Sequence, residues 1–109
     1  MKMFVIALTL GMTTAATVSA ADVTALWDQH CVSCHAKDGS GNTKMGKKSG
    51  VKDYRDPKVQ AELKDEKSLK TVKEGITEKG KERMKPYADK FSDDEIKALV
   101  AYIKTFKKP

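Results

Sequence analysis

Two cysteines three positions apart, followed at once by a histidine, constrain this chain more than any other stretch: Cys31-Val32-Ser33-Cys34-His35. They are the only cysteines in the chain, and His30 and His35 are the only histidines. The pattern is the attachment sequence of a c-type haem. Two thiols add across the vinyl groups on one porphyrin edge, and the two-residue gap lets the backbone span them. The next residue then lies where its imidazole can ligate the iron. Other uses of the pair fit less well. A thioredoxin-like dithiol wants a βαβ setting, and a zinc site needs two more ligands. No second C-x-x-C or H-x-x-x-H is present. One covalently attached haem c is therefore expected on Cys31 and Cys34, with His35 as an axial iron ligand.

The first twenty residues read as a secretory signal peptide. Lys2 supplies the positive start, Phe4 to Leu10 the apolar core, and Val18-Ser19-Ala20 an A-x-A-like cleavage site. Cleavage is expected after Ala20, or after Ala21 one residue later. The apolar run falls well short of the ~20 residues that span a bilayer. In the rest of the chain, Lys, Asp or Glu recurs too often for a membrane span. Residues 21–109 are then one periplasmic domain, which fits the attachment of c-type haem outside the cytoplasm.

A domain this short buries little apolar surface, so the porphyrin is expected to complete its core. The chain carries 21 Lys and Arg against 15 Asp and Glu, a formal +6, and stays basic once Lys2 is removed. Basic residues crowd two places: Lys37, Lys44, Lys47, Lys48 and Lys52, then Lys79, Lys81, Arg83, Lys85 and Lys90. Nucleic acid is not an expected partner of an exported protein. The alternatives are a solvated surface that keeps the protein soluble and a basic rim that steers it toward acidic redox proteins.

Periodicity predicts an all-α domain. Asp22 to Cys31 reads as a helix with Asp22 as its cap, and Trp27 falls one turn before Cys31. Ala36 to Lys52 is glycine- and lysine-rich and reads as loop. Asp56-Pro57 opens a helix to about Lys64, and another follows from about Glu66 to Glu74, ended by Gly75. Glu78 to Phe91 is polar and irregular. Ser92-Asp93-Asp94-Glu95 is a capping box opening the clearest helix, with Ile96, Leu99, Val100, Ile103 and Phe106 at three- and four-residue intervals and Tyr102 at their border. No strand alternation is evident.

An electron-transfer haem needs a second axial ligand opposite His35. His30 directly precedes Cys31 and is tied to the proximal side. Met1, Met3 and Met12 leave with the signal peptide, so Met45 and Met84 remain. Met45 lies ten residues after His35 in the glycine-rich stretch, an awkward wrap. Met84 lies far along the chain, after intervening helices, and is the favoured candidate.

These residues resemble class I cytochromes c, the small soluble monohaem His/Met type, over nearly all of residues 21–109. The resemblance rests on the helix into Cys31-Val32-Ser33-Cys34-His35, Asp38-Gly39-Ser40-Gly41 after it, Met84 near a proline, and Phe91-Ser92-Asp93-Asp94-Glu95-Ile96 opening the last helix. It implies short helices wrapped around one haem, crossing first and last helices, and Trp27, Leu99 and Tyr102 packing against the haem. It also implies His35/Met84 ligation. Two features depart from the pattern: Lys85 separates Met84 from Pro86, and no proline is placed to accept from the His35 imidazole. Tyr54, Arg55 and Tyr87 are candidates for holding the propionates.

The function implied is one-electron transfer between respiratory partners, without an enzymatic step of its own. The partners would be a membrane-bound reductase and a terminal oxidase or periplasmic reductase, met by a monomer. The rivals are a haem sensor or enzyme with an open iron position, and an electron-entry subunit of a larger oxidoreductase.

Overall fold

The computed structural model describes residues 17–108 together with Thr9 and Gly11. Most of the expected signal peptide, residues 1–8, 10 and 12–16, lies outside the described residues, while its expected cleavage site, Val18-Ser19-Ala20, lies within them. Among those residues no helix is long and apolar enough to cross a membrane.

The element order is α1 (Ala20–His30), α2 (Val32–His35), α3 (Lys44–Ser49), α4 (Pro57–Glu62), α5 (Asp65–Glu74), β1 (Ile76–Glu78), β2 (Lys81–Met84) and α6 (Asp93–Lys104). Helix α1 starts two residues before the expected position. Its cap is Ser19, whose hydroxyl accepts from the Asp22 N–H, while the Asp22 carboxylate accepts from the Ser19 N–H. Asp22 is thus the third helical residue of a capping box rather than the cap. Asp56 caps α4 and Pro57 opens it, as their order predicts. Gly75, at φ +73°, ends α5. Ser92 and Glu95 form the reciprocal box that opens α6.

Two elements depart from the sequence reading. Helix α3 lies within the stretch read as loop. Thr43 caps it by accepting from the Gly46 N–H at 2.8 Å, and buried Gly46 lies against the Cys34 carbonyl. A β-carbon at Gly46 would collide with that oxygen. The helix is therefore set by a cap and a close backbone approach, neither of which gives an apolar period.

The second departure is the antiparallel hairpin β1–β2, a small sheet in an otherwise helical domain. Glu78 pairs with Lys81 around Lys79 and Gly80, both at positive φ, as a two-residue type I′ turn requires. The outer strand residues face solvent on both sides, so no alternation marks them. Between the pairs Ile76–Met84 and Thr77–Glu82 the register shifts, leaving Arg83 as an extra residue on β2. Such a bulge bends a strand and re-aims its side chains. Arg83 and Met84 are both half-buried here, whereas Lys81 and Glu82 are exposed.

The core joins Val23 and Trp27 of α1, Val72 of α5, Tyr87 and Phe91 of the following loop, and Ile96, Leu99 and Val100 of α6. Isolated helices shorter than about 12–15 residues are marginal in water. Burial of each large apolar side chain contributes roughly 1.5–3 kcal/mol, so this packing, not propensity, stabilises α1 and α6. Gln60 adds a polar tie that the sequence does not announce: its side-chain amide donates to the carbonyls of Tyr54 (2.6 Å) and Ile103 (2.9 Å). Lys104 pairs with Asp65 and Lys73 with Asp93, both joining α5 to α6.

Candidate haem-attachment site

The C-x-x-C-H stretch folds as a tight helical turn. Cys31 ends α1, donating its N–H to the Trp27 carbonyl at 2.9 Å. The Cys34 and His35 N–H groups both donate to the Cys31 carbonyl, at 3.3 and 2.9 Å. Residues three and four apart share one helix side, so Cys31, Cys34 and His35 lie along a common side of the turn. Ala36, at φ +64°, closes it.

Three neighbours hold this turn. Trp27, 1 % exposed, donates its indole N–H to the Ala36 carbonyl at 3.2 Å. Its ring lies 5.6 Å from that of His35, 5.6 Å from Tyr102 and 5.1 Å from Phe106. Thr43 donates its hydroxyl to the Cys34 carbonyl at 2.9 Å. Tyr54 stacks on the His35 ring at 5.3 Å. Leu99 belongs to the same core, so Trp27, Leu99 and Tyr102 sit together between the first and last helices, with His35 against Trp27.

The electrostatics separate the uses of the cysteine pair. Burial, reinforced by Cys34, pushes the Cys31 thiol up to about 12. A redox dithiol or zinc ligand works as a thiolate, which is favoured by nearby cations or a helix N-terminus. The surroundings of Cys31 do the reverse. They suit a neutral sulfur, and a thioether is one. No group of three or more His, Cys, Asp or Glu among the described residues could hold a metal ion. Burial also lowers the His35 pKa, keeping the imidazole neutral, the form that ligates iron. Its Nδ1 is buried without a hydrogen-bond partner. A neutral Cys31 thiol and a neutral His35 imidazole fit attachment and ligation of haem c.

The two candidate methionines differ in setting. Met45, on α3, is 50 % exposed. Met84 ends β2, is half-buried and packs against the core. Its carbonyl backs onto Gly75, where a β-carbon would collide with it. Arg83 donates from its guanidinium to the Lys48 carbonyl at 3.3 Å, joining the hairpin to α3, and its Nε is buried without a partner.

Of the propionate candidates, Arg55 commits Nε and Nη2 to Asp53, at 3.0 and 2.9 Å, and lies 3.5 Å from Asp38. The Tyr87 hydroxyl donates to the His30 carbonyl at 3.1 Å. Both are engaged within the protein. The sequence reading missed the Trp27–Ala36 and Thr43–Cys34 ties; Thr43 three residues before Gly46 is a cap-like signal that could have located the second.

Comparison with known proteins agrees with this geometry. The family model described as "Cytochrome C oxidase, cbb3-type, subunit III" matches residues 18–103. Among solved structures, the KustC0563 c-type cytochrome is 35% identical, with a TM-score of 0.71 over 78% of this chain and 96% of that one. A mutant of that cytochrome is 35% identical with a TM-score of 0.69, covering 79% and 99%. A search of curated proteins returns no match. An attachment turn packed against Trp27 and a family match over most of the chain lead to one assignment: the chain belongs to this family as a small class I c-type cytochrome, a helix-rich electron-transfer domain with covalently bound haem c.

Proposed function

We propose that the domain is a periplasmic one-electron carrier between respiratory partners, exported by a signal peptide cleaved after Ala20 or Ala21, with His35 and Met84 as axial ligands. The observation that carries the ligand assignment is the contrast between the methionines: Met84 is half-buried against the core that holds His35, and Met45 is half-exposed on α3. Haem c, when attached, supplies the Fe(III)/Fe(II) couple. Cys31 and Cys34 would hold it covalently, His35 would present a neutral nitrogen, and the Met84 thioether would favour Fe(II) and raise the potential relative to a second histidine. Trp27, Leu99 and Tyr102 exclude water from the attachment side.

The basic residues of α3 and the hairpin support brief, salt-sensitive encounters with acidic redox proteins. A membrane-bound reductase would supply electrons, and a terminal oxidase or periplasmic reductase would receive them. Oxidised and reduced absorption spectra with a potentiometric titration test this reading. A far-red iron–thioether band that disappears in Met84→Ala while haem stays attached supports it. High-spin iron with rapid CO binding in the unaltered protein favours an open-site sensor or enzyme instead. The family description favours a second reading, an electron-entry subunit attached to a larger oxidase. Gel filtration of native extract separates the two: a carrier elutes as a small monomer, a subunit with its complex.

A further inference from the structure

We propose that Tyr87 is a positioning residue that holds Met84 in place through a single hydroxyl hydrogen bond to the haem-bearing helix. The inference rests on the Met84 ligation proposed above and deepens it. Tyr87 lies three residues after Met84 and is only 9% exposed. Its backbone N–H donates to the Val72 carbonyl at 3.0 Å, and that of Ala88 to the Lys73 carbonyl at 3.2 Å, which pins the segment to the last turn of α5. Its hydroxyl then reaches the His30 carbonyl at 3.1 Å, across 57 positions of sequence. His30 is the last residue of α1 and is bonded directly to Cys31. Among the described residues, no other side-chain hydrogen bond joins the segment from Met84 to Phe91 to α1 or α2.

The geometry gives this contact a function beyond core filling. The last carbonyls of a helix have no acceptor role within it, and the Tyr87 hydroxyl satisfies the His30 carbonyl from outside. The ring is held independently of the hydroxyl: it stacks on Phe91 at 4.9 Å and 5°, lies edge-on to His30, and has the Lys90 ammonium 5.8 Å from its centroid. Packing therefore fixes where the ring is, and the hydroxyl fixes how far the Met84 segment stands from the Cys31 end of α1. The attachment cysteine and the opposite ligand sit on elements far apart in sequence, and this bond is the short route between them.

Tyr87→Phe removes the oxygen and keeps the ring. The probe is imidazole, titrated into the oxidised holoprotein while the far-red iron–thioether band is followed, with urea midpoints measured alongside. Losing one intramolecular hydrogen bond should make Met84 about three- to tenfold easier to displace, so the apparent imidazole Kd falls by that factor. Phe91→Leu serves as the packing control: it loosens the stack, lowers the urea midpoint, and should leave the imidazole Kd of the folded protein unchanged. An unaltered imidazole Kd in Tyr87→Phe overturns the proposal. So does a Phe91→Leu variant that binds imidazole as tightly as Tyr87→Phe, since packing alone would then account for the effect. A native protein with no iron–thioether band overturns the ligation reading itself, a result distinct from the other two.

Discussion

At the scale of single residues, the site is held by groups whose side chains reach the backbone of the attachment turn. Trp27 is the largest of them, and its indole N–H donates to the carbonyl of Ala36. Trp27→Phe would remove one of that carbonyl's two donors, leaving the Gly39 N–H at 3.2 Å, and open space beside His35. The lost hydrogen bond should lower the unfolding free energy by about 0.5–1.5 kcal/mol, measured by urea titration of the holoprotein. Gly75 acts at Met84, the second ligand proposed above. It sits at φ +73° with the Met84 carbonyl against its α-carbon. Gly75→Ala is both strained and crowded, so it should lower stability and weaken the iron–thioether band together. An unchanged band would place the crowding elsewhere. Asp53 carries a pH effect of known sign. The hydrogen bond from Arg55 is the first cause holding its carboxyl below the usual range. A depressed folded value contributes stability above the unfolded value, near 4, and loses it as pH falls through the folded one. Asp53→Asn should therefore flatten the acid limb of the stability profile, and only slightly, because the group is exposed.

At the scale of elements, legibility in the sequence follows how local the determinants are. Helix α6 is visible in full because its box, Ser92 and Glu95, and its stripe, Ile96, Leu99 and Val100, all lie within the segment itself. Ser92→Ala should cost about 1 kcal/mol, readable as a lowered thermal midpoint. Helix α1 was visible from Trp27 and its spacing to Cys31, yet its start was misplaced by two residues. Ser19 sits within the expected cleavage site, so its sequence context marks processing as readily as a helix cap. Helix α3 and the hairpin were not legible. One depends on Gly46 meeting a carbonyl twelve positions back, the other on a Lys-Gly turn between solvent-facing strands. The sequence also contained no sign of the extra residue at Arg83, because a bulge is a property of the pairing.

At the scale of the whole molecule, charge and cofactor dominate. Among the described residues, Lys44, Lys47, Lys48, Lys79, Lys81 and Lys85 are exposed and form no ion pair, and the Arg83–Lys48 bond joins the two sequence clusters into neighbouring elements. Electron-transfer rates with an acidic partner should fall steeply between low salt and physiological ionic strength, where the Debye length is about 8 Å. Lys81→Glu should slow the reaction at low salt and lose its effect at high salt. A rate indifferent to salt leaves the cations as a solubilising surface. Haem-free protein should lack a native-like near-UV circular dichroism spectrum, because so small an apolar core needs the porphyrin to complete it.

The sequence by itself determined the cofactor, through the pattern Cys31-Val32-Ser33-Cys34-His35, and the helices that announce themselves through caps and periods. Those follow from chemistry within a few bonds and from spacing along one helix. Only the tertiary structure decided how Trp27 reaches Ala36, why Gly46 is needed beside Cys34, and how a bulge at Arg83 leaves Met84 half-buried. It also brought Tyr87 to His30. Each of these depends on where one backbone lies against another, and that distance is a result of packing the whole chain. The pentapeptide states which group is bound; the packing states how the elements around it are held.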